Sequence, residues 1–265
     1  MLEPGRQKRT FGDTRQRSAL VFSLVLLTAL TQSPLANAQT EGDRALAASP
    51  TGVSNVSSQD DNSAHFRLGA ATGQAFGFTV FQHLVRLREE RTRQELGGAF
   101  LRDWFKAVSH TGRNWNDGNK VFTNYVAHPM GGAVYADIYR QNDPRRRQLE
   151  VGEPGYGGMV ARAMIFAAVV STQFEIGPVS EASIGNVGMR NPRKMAWVDL
   201  VMTPVAGTAW MVGEDLIDQR LLKRIDGTNT ILRNTLRFFL NPSRSGANLS
   251  RRKWPWFRDR DVGPA

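Results

Sequence analysis

Residues 120–141 read KVFTNYVAHPMGGAVYADIYRQ, and the fold class turns on this stretch. Asn124, His128, Gly131/Gly132, Tyr135 and Tyr139 recur at the spacing of one helical face. Pro129 predicts a kink or break beside His128, because proline has no N–H and its ring collides with the carbonyl one turn back. A break there frees backbone carbonyls next to an imidazole.

Working outward, Tyr156 to Ile176 is a long helix candidate, apolar from Met159 to Thr172 apart from Arg162 and ending in Gln173-Phe174-Glu175. Gly177-Pro178 stops it. Trp197 to Leu216 is another candidate, with Asp199, Thr203, Ala206, Trp210 and Gly213 along one face and Glu214 following. Upstream, Phe76, Val80, His83/Leu84 and Leu87 give 72–96 a helical period, which Gly97-Gly98 ends. Ala99 to Val108 and Thr230 to Leu240 read as short amphipathic helices. Alternating, strand-like runs are few. The expected fold is mainly α: a helical bundle with two long apolar helices near 156–176 and 197–217 and flanking amphipathic helices.

The first residues read as an address. Arg6, Lys8, Arg9, Arg15 and Arg17 precede the apolar run Ala19–Leu30, and Ala36-Asn37-Ala38 has the small-x-small form of a cleavage site. Residues 1–38 are therefore expected to be a signal peptide. Residues 39–65, with almost no large apolar side chain, are expected to be a disordered leader. The helical domain is then 66–245, and 246–265 is a basic, aromatic tail.

The chain has 265 residues, with 34 Lys+Arg against 24 Asp+Glu and no cysteine. Disulfide frameworks, thiolate metal sites and cysteine nucleophiles are excluded. Removing 1–38 takes away five basic and two acidic residues and leaves a net charge of +7 out of +10. On an exported protein this charge points to anionic lipid head groups, lipopolysaccharide or peptidoglycan. Nucleic acid has only the charge in its favour, and the export signal argues against it.

The two long apolar segments have about the length of a bilayer span and carry small residues suited to close helix packing. A mean hydropathy of −0.36 argues against a polytopic membrane protein. In the tail, Trp254, Trp256 and Phe257 stand among Arg251, Arg252 and further basic residues, a composition suited to contact with a membrane lipid surface.

In a bundle with short connections, His128, Glu175 and Asp199 could converge, with Glu214 at the end of the following helix. One imidazole with two or three carboxylates can hold a divalent metal, act as a general acid/base pair, or form a buried hydrogen-bond network. Residue types alone do not choose among these. Asn124 and Tyr135, on the face of His128, are candidate ligand-binding residues. The chain lacks G-x-S-x-G, H-E-x-x-H, P-loop and Rossmann fingerprints.

The block Asn124-Tyr125-Val126-Ala127-His128-Pro129-Met130-Gly131-Gly132-Ala133-Val134-Tyr135 resembles the Asn-x-x-x-His-Pro-x-x-Gly signature of a bacterial family, domain of unknown function 3943. Ser171-Thr172-Gln173-Phe174-Glu175, Asp199-Leu200, Thr203 to Gly207 and Gly213-Glu214 follow in the family's order, with Glu181 in the place of a second glutamate. The layout is also similar to that of VanZ-like membrane proteins. The resemblance covers residues 100–245 and implies a helical, membrane-associated envelope protein without an established activity.

The expected function is thus an exported, envelope- or membrane-associated helical protein with a polar His/Glu/Asp core or ligand cleft. The alternative is an envelope lipid or glycan hydrolase using His128 with Glu175 or Asp199, with or without a metal ion.

Overall fold

The computed structural model describes residues 65–88, 90–109, 115, 119–184, 197–225 and 229–259. The expected signal peptide and nearly all of the expected leader lie outside them. The described chain is mainly helical: α1 (Leu68–Arg86), α2 (Glu90–Leu96), α3 (Phe100–Ser109), α4 (His128–Gln141), α5 (Tyr156–Ile176), α6 (Trp197–Val201), α7 (Gly207–Arg220), α8 (Thr230–Leu240) and α9 (Pro242–Ser250).

Helix α4 is the axis of the molecule. Every residue from Gly131 to Asp143 is buried, and α1, α5, α7 and α9 surround it. Small side chains make this enclosure possible. Ala71, Ala75, Val134, Tyr135, Ile138, Ala167 and Ala247 form one core between α1, α4, α5 and α9. Ala133, Ala136, Tyr139, Met159, Ala163 and Met211 form a second between α4, α5 and α7.

The closest crossing is between glycines. A Cβ on Gly132 would stand 1.7 Å from the carbonyl oxygen of Thr203, and one on Gly207 would stand 2.7 Å from Cα of Gly132. The two backbones therefore touch directly, an approach only glycine permits.

Pro129 does not break the helix: the irregularity expected beside His128 is a π turn over Thr123–Ala127, closed by the His128 N–H on the Thr123 carbonyl, and it leads directly into α4. Widening the turn keeps the backbone bonded while it accommodates the proline ring. The stretch from 197 to 217 departs from the long continuous helix expected of it. It is α6, a second π turn over Met202–Ala206, and α7. Pro204 lies inside that turn, and the same physics applies. Only α5 is long and apolar enough, among the described residues, to cross a membrane.

The end of α5 is fully tied. The carbonyls of Gln173, Phe174 and Glu175 accept from the N–H groups of Gly177, Glu181 and Ala182, and the Ile176 carbonyl accepts from the Trp104 indole at 3.0 Å. All four terminal acceptors of the helix thus have donors. The 246–265 tail does not start where composition put it. Residues 246–250 complete α9, and 251–259 fold back on the bundle, with Arg258 buried against Asp218.

Candidate functional site

Three elements converge at the N-terminal end of α4. His128 opens α4, Glu175 stands in the last turn of α5, and Asp199 lies in α6. One ligand atom from each lies within 4.8 Å of the other two. His128 Nε2 is 3.3 Å from Asp199 Oδ1, and its Nδ1 is 3.3 Å from Thr203 Oγ1. Glu175 and Asp199 are buried, and His128 is half-buried.

The backbone explains the register. Gly132 is one turn beyond His128, and Gly207 one turn beyond Thr203, so the glycine contact brings the preceding turns side by side. Both π turns adjoin the cluster, one ending at His128 and the other holding Thr203. Such turns are frequent at functional sites because they re-aim side chains without breaking the helix. Trp115 closes over the same end: its indole donates to the Tyr125 hydroxyl at 3.0 Å, and its carbonyl accepts from the Val198 N–H.

The remaining sequence candidates separate. Asn124 is buried within the first π turn. Tyr135 lies two turns beyond His128, where its hydroxyl meets Thr79 Oγ1 at 2.9 Å and donates to Gln82 Oε1 at 2.7 Å. Burial, and secondarily the charge of Glu175, push the Tyr135 phenol well above its ordinary range, so it acts as a neutral hydrogen-bonding group. Next to this, His83 stacks on Phe174 at 4.9 Å between ring centroids, and its Nδ1 lies 3.5 Å from Glu181, which Arg86 also approaches.

Glu214 does not join His128. Its carboxylate accepts from the backbone N–H groups of Ser243 and Arg244 at 3.0 and 3.1 Å and from the Trp210 indole at 2.9 Å. It caps the first turn of α9 and holds that helix to α7, a structural role that position at a helix end did not reveal.

Around it stands a second buried cluster that the sequence reading missed. Arg140 donates to both oxygens of Asp215 at 2.7 Å and also pairs with Asp137. Arg244 pairs with Asp215 and donates to Asp218 at 3.0 Å. Arg258 donates to both Asp218 oxygens at 3.2 Å, and the Tyr156 hydroxyl donates to Asp215 at 2.7 Å. Burial alone would raise the Asp215 carboxyl, but Arg140 and Arg244 outweigh it and hold it below the usual range. Burial and then Arg244 pull the Arg258 guanidinium down to about 10, so it remains charged at neutral pH.

The tail residues considered for membrane contact are divided by the fold. Trp254 is 70% exposed and stacks on Trp256, while Arg251 is tied to Asp259. Trp256 and Phe257 are half-buried, and Arg252 faces outward. Thr203 is the residue of the His128 cluster whose role was overlooked. Its spacing of four from Asp199, on one helical face, was the available signal.

No family model, curated protein or solved structure compared with this chain matches it.

Proposed function

We propose that this is an exported, envelope-associated protein that rests against a membrane and works through a ligand cleft at His128, Glu175 and Asp199. The observation that carries this reading is the two-sided character of α5. One side turns Glu175 into the His128 cluster, whereas the other is apolar and open, with Ile165 and Val169 61% and 65% exposed. Only a third of its most apolar window is buried. A helix buried at the centre of a water-soluble bundle would cover far more of that surface, and exposed apolar patches of this kind mark interaction faces.

Lipid suits this face better than a protein partner for two reasons. The helix offers this side over 21 residues, and Trp197, Val201 and Val205 of the neighbouring segment are apolar and exposed as well, a larger apolar area than isolated surface residues give. Outward-facing Arg252, Lys253 and Trp254 add the basic and aromatic groups that favour an anionic interface.

Flotation of the purified protein with anionic phospholipid vesicles tests the reading. Wild type is expected to float, whereas a variant carrying Ile165→Asp and Val169→Asp stays in solution with an unchanged melting temperature. Wild-type protein that remains in solution overturns the membrane part.

A second reading is favoured by the 3.3 Å approach of His128 Nε2 to Asp199. An imidazole held by a carboxylate is suited to move a proton, which would make the cleft the centre of a hydrolase acting on envelope lipid or glycan. Release of product from phospholipid or peptidoglycan by wild type, lost in a folded His128→Ala variant, is the outcome that selects it.

A further inference from the structure

We infer that His128, Glu175 and Asp199 bind one divalent ion of the zinc or manganese class, and that Thr203 sets the imidazole for it. The inference deepens the cleft reading above and rests on it.

Ligands about 2.1 Å from a tetrahedral ion lie roughly 3.4 Å from one another. The His128–Asp199 separation of 3.3 Å already matches, and all three ligand atoms, Glu175 included, lie inside 4.8 Å of one another. The donor set is one imidazole nitrogen and two carboxylate oxygens. This suits a borderline first-row ion better than calcium, which collects roughly six to eight oxygens. Three protein ligands also leave a coordination position for water or a ligand.

The proton arrangement on His128 follows. A metal at Nε2 requires that nitrogen to be unprotonated, so the proton sits on Nδ1. Thr203 Oγ1, 3.3 Å from Nδ1, accepts it. Metal-bound histidines are commonly oriented in this way by an outer hydrogen-bond partner. Thr203 is therefore a positioning residue, carried to His128 by the contact of Gly132 with Gly207.

Calorimetric titration of Zn²⁺ and Mn²⁺ into the chelator-stripped, full-chain protein tests the inference. The expected result is one ion per chain, a raised melting temperature on binding, and no displacement by equimolar Ca²⁺. Binding is lost in His128→Ala and Asp199→Asn and retained in Glu90→Gln, which removes an exposed carboxylate paired with Arg93. Thr203→Val weakens binding by about 10–100-fold, and Thr203→Ser restores it.

Labelling of wild type with diethylpyrocarbonate covers the case in which the variants do not fold. Zinc should protect the His128 peptide and leave exposed His65 reactive. Absence of a stoichiometric ion on folded wild type, or an ion held equally well by His128→Ala and Asp199→Asn, overturns the inference. A metal-free protein that still floats with vesicles, and whose folded His128→Ala variant loses function, would leave the cleft reading standing without the metal.

Discussion

At its N-terminal end α4 presents His128 to Asp199 and Glu175. Nine residues later, about 13 Å along the axis, Asp137 enters a cluster in which Arg140, Arg244 and Arg258 meet Asp215 and Asp218. Both regions bury carboxylates contributed by several helices, but their partners differ. The distal acids face guanidinium groups that keep their charge at any physiological pH. Asp199 faces an imidazole, whose ring nitrogen can be given to a metal or a proton. The first arrangement fastens α4, α7, α9 and the folded-back tail together. The second leaves chemistry available.

The sharpest way to break this comparison is to remove one arginine. Arg244→Ala leaves Asp215 and Asp218 short of a partner in the interior, and breaking a buried pair in this way costs about 3–5 kcal/mol. Urea denaturation should show a loss of that size, with α9 and the tail released first in hydrogen exchange. A loss below about 1 kcal/mol would mean that the network is solvated and does not fasten the bundle.

Gly132→Ala comes next. Its Cβ would collide with the Thr203 carbonyl, which belongs to the backbone and cannot rotate away. Overpacking of this kind costs about 1–3 kcal/mol. Because the collision falls on the backbone of Thr203, whose hydroxyl meets His128, the variant should lose ligand or metal affinity as well as thermal stability. A variant that melts lower and keeps full affinity would show that the glycine crossing does not set the register of the site.

His128→Ala should have a smaller effect on folding than either. The imidazole is half-buried, and the net contribution of a hydrogen bond is about 0.5–1.5 kcal/mol. Thermal denaturation checks the stability, and the binding and activity assays above check the loss of function. A destabilisation as large as that of Arg244→Ala would make the two ends alike and assign His128 to the structural core.

The parts of this molecule that were legible in sequence are those governed by local rules. The bounds of α5 follow from an apolar run stopped by Gly177-Pro178, and the meeting of His128, Glu175 and Asp199 follows from their places at the start of α4, the end of α5 and in α6, three successive helices. Pro129 was legible as the mark of an irregular turn, yet Pro204, subject to the same steric rule, was passed over because the surrounding run is apolar. The start of α9 was also missed. Pro242 in the first turn is a helix-start signal, and the capping carboxylate comes from Glu214 on another helix, where no local pattern shows it. The arginine cluster had little local signature beyond the Asp137–Arg140 pair: Arg140 and Asp215 are 75 residues apart, and no periodicity connects them. Glu214 was misplaced for the same reason, since its partners lie 29 and 30 residues downstream.

The smallest expected effect concerns Gly213, which belongs to the same α6–α7 segment as Gly207 but has a different reason to be small. Nothing lies within 4 Å of a Cβ built there, whereas Gly207 abuts the α4 backbone. Alanine at an open helical position relieves the unfolded chain of glycine's extra freedom and gains about 0.4–1 kcal/mol. Gly213→Ala should therefore raise the melting temperature slightly and leave vesicle flotation and metal affinity unchanged. If it instead weakens binding with the fold intact, the space beside Gly213 serves a ligand or a partner, and the functional region of this face reaches from His128 well down α7 toward the arginine cluster.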